Sequence, residues 1–165
     1  MTRTGIGFDA HAFTDDPSRP LVVGGVVIPD HRGLDGHSDA DVLSHAVADA
    51  LLGAAALGDL GTRFPDDETW KGASSLAILS ETAAQVQDSG HGIVNVDVSV
   101  IAQAPRMSPY RDEMRTNVAS ALGVARGAVS VKATTTDHLG FTGRGEGIAA
   151  LAVATIEPVS HETPR

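Results

Sequence analysis

Ile93-Val94-Asn95-Val96-Asp97-Val98-Ser99-Val100-Ile101-Ala102-Gln103 is the stretch that decides the fold. Val94, Val96, Val98, Val100 and Ala102 alternate with Asn95, Asp97, Ser99 and Gln103, and Ile101 alone breaks the polar row. Successive strand side chains point to opposite faces, so this run predicts a strand with one core face and one mostly polar face. Downstream, a helix is expected over about 109–122 with Met114, Val118, Ala121 and Leu122 inward, then a strand over 129–135 alternating Val129, Val131 and Ala133 with polar residues. A Gly-rich loop over 140–147 leads into an apolar strand over 148–156. Upstream, a helix is expected over 73–87 with Leu76, Leu79, Ala83 and Val86 buried and Gly90 beyond its end. Residues 58–65 read as loop. An earlier helix runs through Val42, Ala46, Val47, Ala50 and Leu51, with Ser38 or Asp39 as its cap. Gly24-Gly25 reads as a hairpin turn inside the apolar run 21–29, and a first strand covers about 4–13. Strands and helices in this order imply an α+β fold, a mixed β-sheet with helices packed on one face, in a single domain over 1–165.

Composition narrows the function. The formal net charge is −9 with Lys and Arg scattered, which argues against a duplex nucleic-acid binder but not against a small phosphorylated substrate. The absence of cysteine excludes disulfides, thiolate catalysis and Cys-type zinc sites. Met1-Thr2-Arg3-Thr4-Gly5 has no apolar h-region, and no apolar run approaches the ~20 residues of a membrane span. The expectation is a cytoplasmic protein without membrane partners.

Three segments carry chemistry. In Gly5-Ile6-Gly7-Phe8-Asp9-Ala10-His11, Asp9 and His11 are alternate strand residues and share a face. With His45 from the following helix they make a three-ligand set of the kind zinc uses when a fourth position stays open. The plainer alternatives are a polar edge strand and, for Asp41, His45 and Asp49, a solvated helix stripe. Gly5 and Gly7 favour the site, because strand glycines mark close approach by a ligand or another backbone. His37-Ser38-Asp39 precedes the helix, whose N-terminal amides could receive an anion. Asp49 and Asp59 are candidates to support the imidazoles through their second nitrogens, or are simply surface carboxylates. Second, Lys132-Ala133-Thr134-Thr135-Thr136-Asp137 offers a phosphate and Mg²⁺ site, though three threonines also suit a strand on propensity alone. Third, Ala102-Gln103-Ala104-Pro105-Arg106-Met107 leaves the best strand as a ligand-reading loop or an ordinary connection.

Taken together, the blocks 5–13, 37–45, 49–59 and 132–147 closely resemble the 2-C-methyl-D-erythritol 2,4-cyclodiphosphate synthases of the non-mevalonate isoprenoid pathway, over nearly the whole chain. The resemblance implies a homotrimer with active sites between subunits. It implies Zn²⁺ on Asp9, His11 and His45, and Mg²⁺ or Mn²⁺ on Asp137. Asp9 and His11 also lie against the substrate, and His37 and Ser38 match contacts to its diphosphate. Asp59, Leu60 and Gly61 with Phe64, Pro65 and Asp66 match the segments holding the methylerythritol phosphate. The loop 102–107 (Ala102, Gln103, Ala104, Pro105, Arg106 and Met107) matches the cytidine-binding loop. Lys132, Thr134, Thr135, Thr136 and Asp137 continue into the phosphate site. His37, Asp59, Thr135 and Asp137 are the residues expected to act in catalysis. Phe141, Arg144 and Glu146 match a central cavity able to hold an isoprenoid diphosphate. The implied reaction closes a cyclic diphosphate on a cytidine diphosphate-linked substrate and releases CMP.

Three positions depart from the family pattern. Asp137 replaces Glu, Arg106 replaces Lys, and Ser108 replaces an apolar residue. A zinc phosphoesterase and a non-catalytic binder of isoprenoid diphosphates are the competing readings.

Overall fold

A computed structural model describes residues 1–65 and 69–159. The chain runs β1 (Arg3–Ala12), β2 (Leu21–Val23), β3 (Val26–Ile28), α1 (Val42–Ala55), α2 (Leu60–Arg63) and α3 (Ser75–Asp88). It continues through β4 (His91–Ile101), α4 (Arg111–Leu122), a 3₁₀ turn (Arg126–Ala128), β5 (Val129–Thr134), α5 (Gly140–Gly143) and β6 (Gly147–Pro158). The main sheet has the order β1-β6-β4-β5. β4 and β5 are parallel and the other pairs antiparallel, so the sheet is mixed and the fold is α+β, as the alternation in β4 implies. β2 and β3 form a separate hairpin that turns on Gly24 and Gly25. Both have positive φ, 58° and 69°, the conformation that a two-residue hairpin loop demands.

Helix α1 is the centre of the molecule. It packs on β1 and β6 with α3 across it, and every residue from Val42 to Ala55 is buried except Asp49 and Gly53. Its approach to β1 is set by two glycines. A Cβ on Gly5 would stand 2.0 Å from the Ala50 carbonyl oxygen, and one on Gly7 2.1 Å from that of Ala46. The close approach that these glycines signal is therefore to a helix backbone rather than to a ligand.

The structure corrects several local expectations. The cap of α1 is Asp41, not Ser38 or Asp39. Its buried carboxylate accepts from the amides of Gly24, Gly25 and Ser44 at 2.8, 2.7 and 3.1 Å and from the Ser44 hydroxyl at 2.8 Å. The segments 58–65 and 140–147 each contain one helical turn, α2 and α5, too short to show a period. In α3 the inward row is Ser75, Ile78, Leu79, Thr82 and Val86, with Leu76 and Ala83 at its margin. Val94 is exposed because the β4–β6 register shifts between Ile93 and Asn95, while Val96, Val98 and Val100 stay buried. Ala133, near the end of β5, is also exposed.

The helices cover one side of the sheet. Ile6 and Phe8 on β1 and Leu151 and Val153 on β6 lie on the other, exposed by 66, 58, 40 and 39%. Ile6 is paired with Val153 and Phe8 with Leu151, so the four make one contiguous apolar patch. No helix among the described residues is long and apolar enough to cross a membrane.

Gly7→Ala should force β1 away from α1, because the clash is with backbone and no rotamer relieves it. The expected loss is about 3 kcal/mol or failure to fold, read from the urea unfolding midpoint against wild type.

Candidate functional site

Asp9 and His11 extend from β1 past its glycine contacts with α1, and His45 comes from the first turn of that helix. The three side chains meet. Asp9 Oδ2 lies 2.9 Å from His11 Nε2 and 3.1 Å from His45 Nδ1, and the two nitrogens are 3.3 Å apart. This is the only cluster of three or more His, Cys, Asp or Glu ligand atoms among the described residues. Two imidazole nitrogens and a carboxylate oxygen converging at one point are the donor set of an open zinc site.

The outer nitrogens are also held. The segment 33–35 lies along the end of β1, with the Asp35 amide donating to the Ala12 carbonyl at 2.8 Å. This brings the Asp35 carbonyl to His11, whose Nδ1–H donates to it at 2.7 Å and leaves Nε2 facing the cluster. His45 turns Nε2 away from the cluster toward Ser75 and Ser38. Neither Asp49 nor Asp59 supports an imidazole. Asp49 accepts from the Leu60 amide at 3.2 Å, pinning α2 to α1, and Asp59 caps α2 through the Thr62 amide at 2.8 Å. Hydrogen bonds from Thr62 hold the Asp59 carboxyl below its ordinary range.

Burial is the largest single influence on Asp9 and opposes ionisation. The hydrogen bonds and charges of His11 and His45 together outweigh it, so its carboxyl sits well below the usual carboxylate range. Burial likewise works against the His11 cation, but Asp9 and the Asp35 carbonyl overcome it and raise the pKa. Asp9 and His11 therefore each favour the charged form of the other.

The cluster opens into a cleft of about 230 Å³ lined by Asp9, His11, Gly36, His37, Ser38, His45, Leu60, Gly61, Phe64, Trp70 and Ile78. Gly36, Trp70 and Ile78 were not among the expected site residues. Trp70 was accessible in principle as the single tryptophan, and it packs edge-on against Phe64 with ring centroids 4.9 Å apart. Asp66 lies outside the described residues. A second cleft, about 420 Å³, is lined by Ala102, Gln103, Pro105, Arg106, Met107, Ser108, Ala133, Thr134 and Thr135. Within one chain the two halves of the expected site line separate clefts.

Other expected residues are engaged differently. The N-terminus of α1 is not an open anion site, because the Asp41 carboxylate occupies it. Lys132 gives its ammonium to Asp97 on the helix-free face of the sheet. Thr136 donates to the Leu139 carbonyl at 2.6 Å and meets the Thr142 hydroxyl at 3.0 Å, closing the turn into α5. Thr135 Oγ1 donates to exposed Asp137 at 3.2 Å. Arg144 pairs with Glu146 at 2.7 and 3.1 Å and borders a further cleft with Phe13, Asp30 and Gly143, whereas exposed Phe141 lines neither of the first two.

A sequence model of the YgbB family matches residues 2–157. The chain belongs to the YgbB family. A 2-C-methyl-D-erythritol 2,4-cyclodiphosphate synthase of Salinibacter ruber is 57% identical over 156 residues, 94% of this chain and 98% of the relative. One of Marinobacter nauticus is 55% identical over 159 residues, 96% of this chain and 99% of the relative. Among solved structures, the bifunctional IspDF of Campylobacter jejuni superposes with a TM-score of 0.92 at 40% identity, covering 97% of this chain and 43% of that one. A CDP complex of IspF from Plasmodium falciparum gives 0.84 at 31% identity, covering 96% of this chain and 97% of that one. Membership of this family makes the protein an enzyme of the cyclodiphosphate synthase type.

The ion pair fixes the pH behaviour. The contribution of Asp9 to stability is present above the ordinary carboxylate value of 3.8 and is lost only as pH falls toward its depressed folded value. That of His11 is complete below 6.5 and is lost as pH rises through its raised folded value. Metal-free protein should therefore show its highest thermal midpoint between about pH 4 and 6.5 from this pair, with a decline above. A metal held by this cluster would have to displace the His11 proton, so an affinity for added Zn²⁺ should rise by up to about tenfold per pH unit from pH 6 until that proton is gone. Titrations with a chelating indicator at pH 6, 7 and 8 check this.

Proposed function

We propose that the protein converts 4-diphosphocytidyl-2-C-methyl-D-erythritol 2-phosphate into 2-C-methyl-D-erythritol 2,4-cyclodiphosphate with release of CMP. The observation that carries this reading is the convergence of Asp9, His11 and His45 at the floor of a cleft that also presents His37 and Ser38, in a chain of this family. The relatives bear the name of the product, and the Plasmodium falciparum structure holds CDP.

The reaction needs no protein nucleophile. The substrate's 2-phosphate oxygen bonds to the β-phosphorus, the bond from that phosphorus to the oxygen bridging it to the α-phosphate breaks, and CMP carries the electron pair away. The work left to the protein is folding a flexible chain on itself and neutralising charge. A divalent ion on Asp9, His11 and His45, with Zn²⁺ fitting the donor set, supplies Lewis acidity toward a phosphate oxygen. Asp137 is the proposed ligand of a second ion, Mg²⁺ or Mn²⁺; its exposure and its bond to Thr135 leave it near the phosphate-binding threonines. His37, Ser38 and the Thr135 hydroxyl donate to phosphate oxygens. Leu60, Gly61 and Phe64 wall the methylerythritol end, with Asp59 fixing the turn that carries them. The loop 102–107 receives the cytidine, and its Arg106 can hold an anion through a planar fork where the family pattern has the point charge of Lys.

Two observations support a homotrimer with sites completed between subunits. The helix-free face carries the patch of Ile6, Phe8, Leu151 and Val153, which a soluble monomer would leave in water. The metal cleft and the cytidine-loop cleft are separate within one chain, so a neighbour's loop would complete the first. Arg144 and Glu146 would then border a central cavity able to receive an isoprenoid diphosphate.

Incubation with the cytidine substrate should give CMP and a cyclic diphosphate by ³¹P NMR, and a linear phosphate product would instead support a phosphoesterase. His11→Ala should lose Zn²⁺ and roughly 10³-fold or more in turnover while still folding. Asp137→Ala should lose turnover but keep its Zn²⁺; equal loss of both would count against two separate sites. Sedimentation should give a mass near three times the 16.9 kDa chain, and Phe8→Asp should reduce it.

A further inference from the structure

His45 is the most buried member of the metal cluster, and its outer nitrogen meets a residue that no motif singles out. His45 Nε2 lies 2.9 Å from Ser75 Oγ and 3.1 Å from Ser38 Oγ. Ser75 opens helix α3 and is fully buried. Its hydroxyl donates to Oδ1 of Asp39, and its amide donates to Oδ2 of the same carboxylate at 3.0 Å. The Asp41 amide also points at Oδ1, at 3.3 Å. Both oxygens of Asp39 are thus acceptors.

A hydroxyl owns one proton. Asp39 takes that of Ser75, so toward His45 the Ser75 oxygen offers only lone pairs. The hydrogen in that contact must come from His45 Nε2. A hydrogen held on Nε2 makes Nδ1, which bonds Asp9 in the metal-free cluster, the nitrogen whose lone pair a metal would take. We propose that Ser75, oriented by Asp39, is a positioning residue that sets the tautomer and ring orientation of His45 for metal binding. This rests on the reading of the cluster as a metal centre. It has a consequence for Ser38. Its oxygen accepts from the Ala40 amide at 3.2 Å and shares the His45 N–H, so its own proton is free for an anion in the cleft.

Asp39 also caps α3 through the Ser75 amide, and a purely architectural role predicts different results. Ser75→Ala keeps that amide bond and removes only the hydroxyl. The full-length protein, stripped and titrated with Zn²⁺ alone against a chelating indicator, should bind about 10–100-fold more weakly, with its metal-free unfolding midpoint nearly unchanged. Asp39→Asn can turn an amide N–H toward Ser75, which would send the hydroxyl proton to Nε2 and put the imidazole hydrogen on Nδ1. It should weaken Zn²⁺ binding at least as much, and it tests the proposal even if Ser75→Ala does not fold. Zn²⁺ affinity within about twofold of wild type in either folded variant, or a loss of metal-free stability without a loss of affinity, would overturn the proposal. Wild-type protein that takes up no Zn²⁺ would overturn the metal reading and this one with it.

Discussion

The contact between the backbone of β1 and that of α1 governs the rest of the molecule. Gly5 and Gly7 present no side chain toward the helix, and the helix answers with Ala46, Ala50 and Ala54. The strand and helix therefore sit closer than side chains elsewhere would permit. That closeness is what lets a carboxylate as short as Asp9 reach His45 across the gap between the two elements. The same helix is buried almost all round, which fixes its rotation about its own axis and hence the direction of the imidazole. Geometry at the Asp9–His11–His45 cluster is thus set by the core, not by a loop.

The remaining contacts of the cluster follow the same logic. Each imidazole has one nitrogen at the centre and the other tied outward, His11 to a main-chain carbonyl and His45 to buried hydroxyls. Imidazoles held this way would lose little freedom on binding a metal. The second cleft, by contrast, lies at the ends of β4 and β5, where Ala102, Ala133 and Thr134 meet the longer Gln103, Arg106 and Met107. One chain so carries a charged cluster in one cleft and a second, separate cleft on another part of its surface.

Much of this was legible in the residues. Alternation gave β4 and β5, an apolar run gave β6, Gly24-Gly25 gave the hairpin, and Asp9, His11 and His45, expected together, do meet. What escaped has physical causes. The helical turns α2 and α5 are shorter than one period of any pattern. Val94 keeps the alternation on paper, but a register shift moves it into the open. Acidic residues near a histidine are the natural guess for its outer partner, yet Asp49 and Asp59 serve the chain entry to α2, and the partner of His45 comes from a serine 30 positions away. Such long-range pairing has no local signature. Similarly, the apolar residues Ile6 and Phe8 read as ordinary strand content, and only the observed topology puts them beside Leu151 and Val153 on the uncovered face.

Asp41 joins two parts of the chain that share no β-ladder. Its single carboxylate receives both turn amides of the β2–β3 hairpin and the amide of Ser44 in the first turn of α1. The hairpin therefore cannot peel away while the start of the helix stays intact, since release of either leaves a buried acid short of donors. Hairpin and helix start are thereby a single unit of local opening despite the distance between them in sequence.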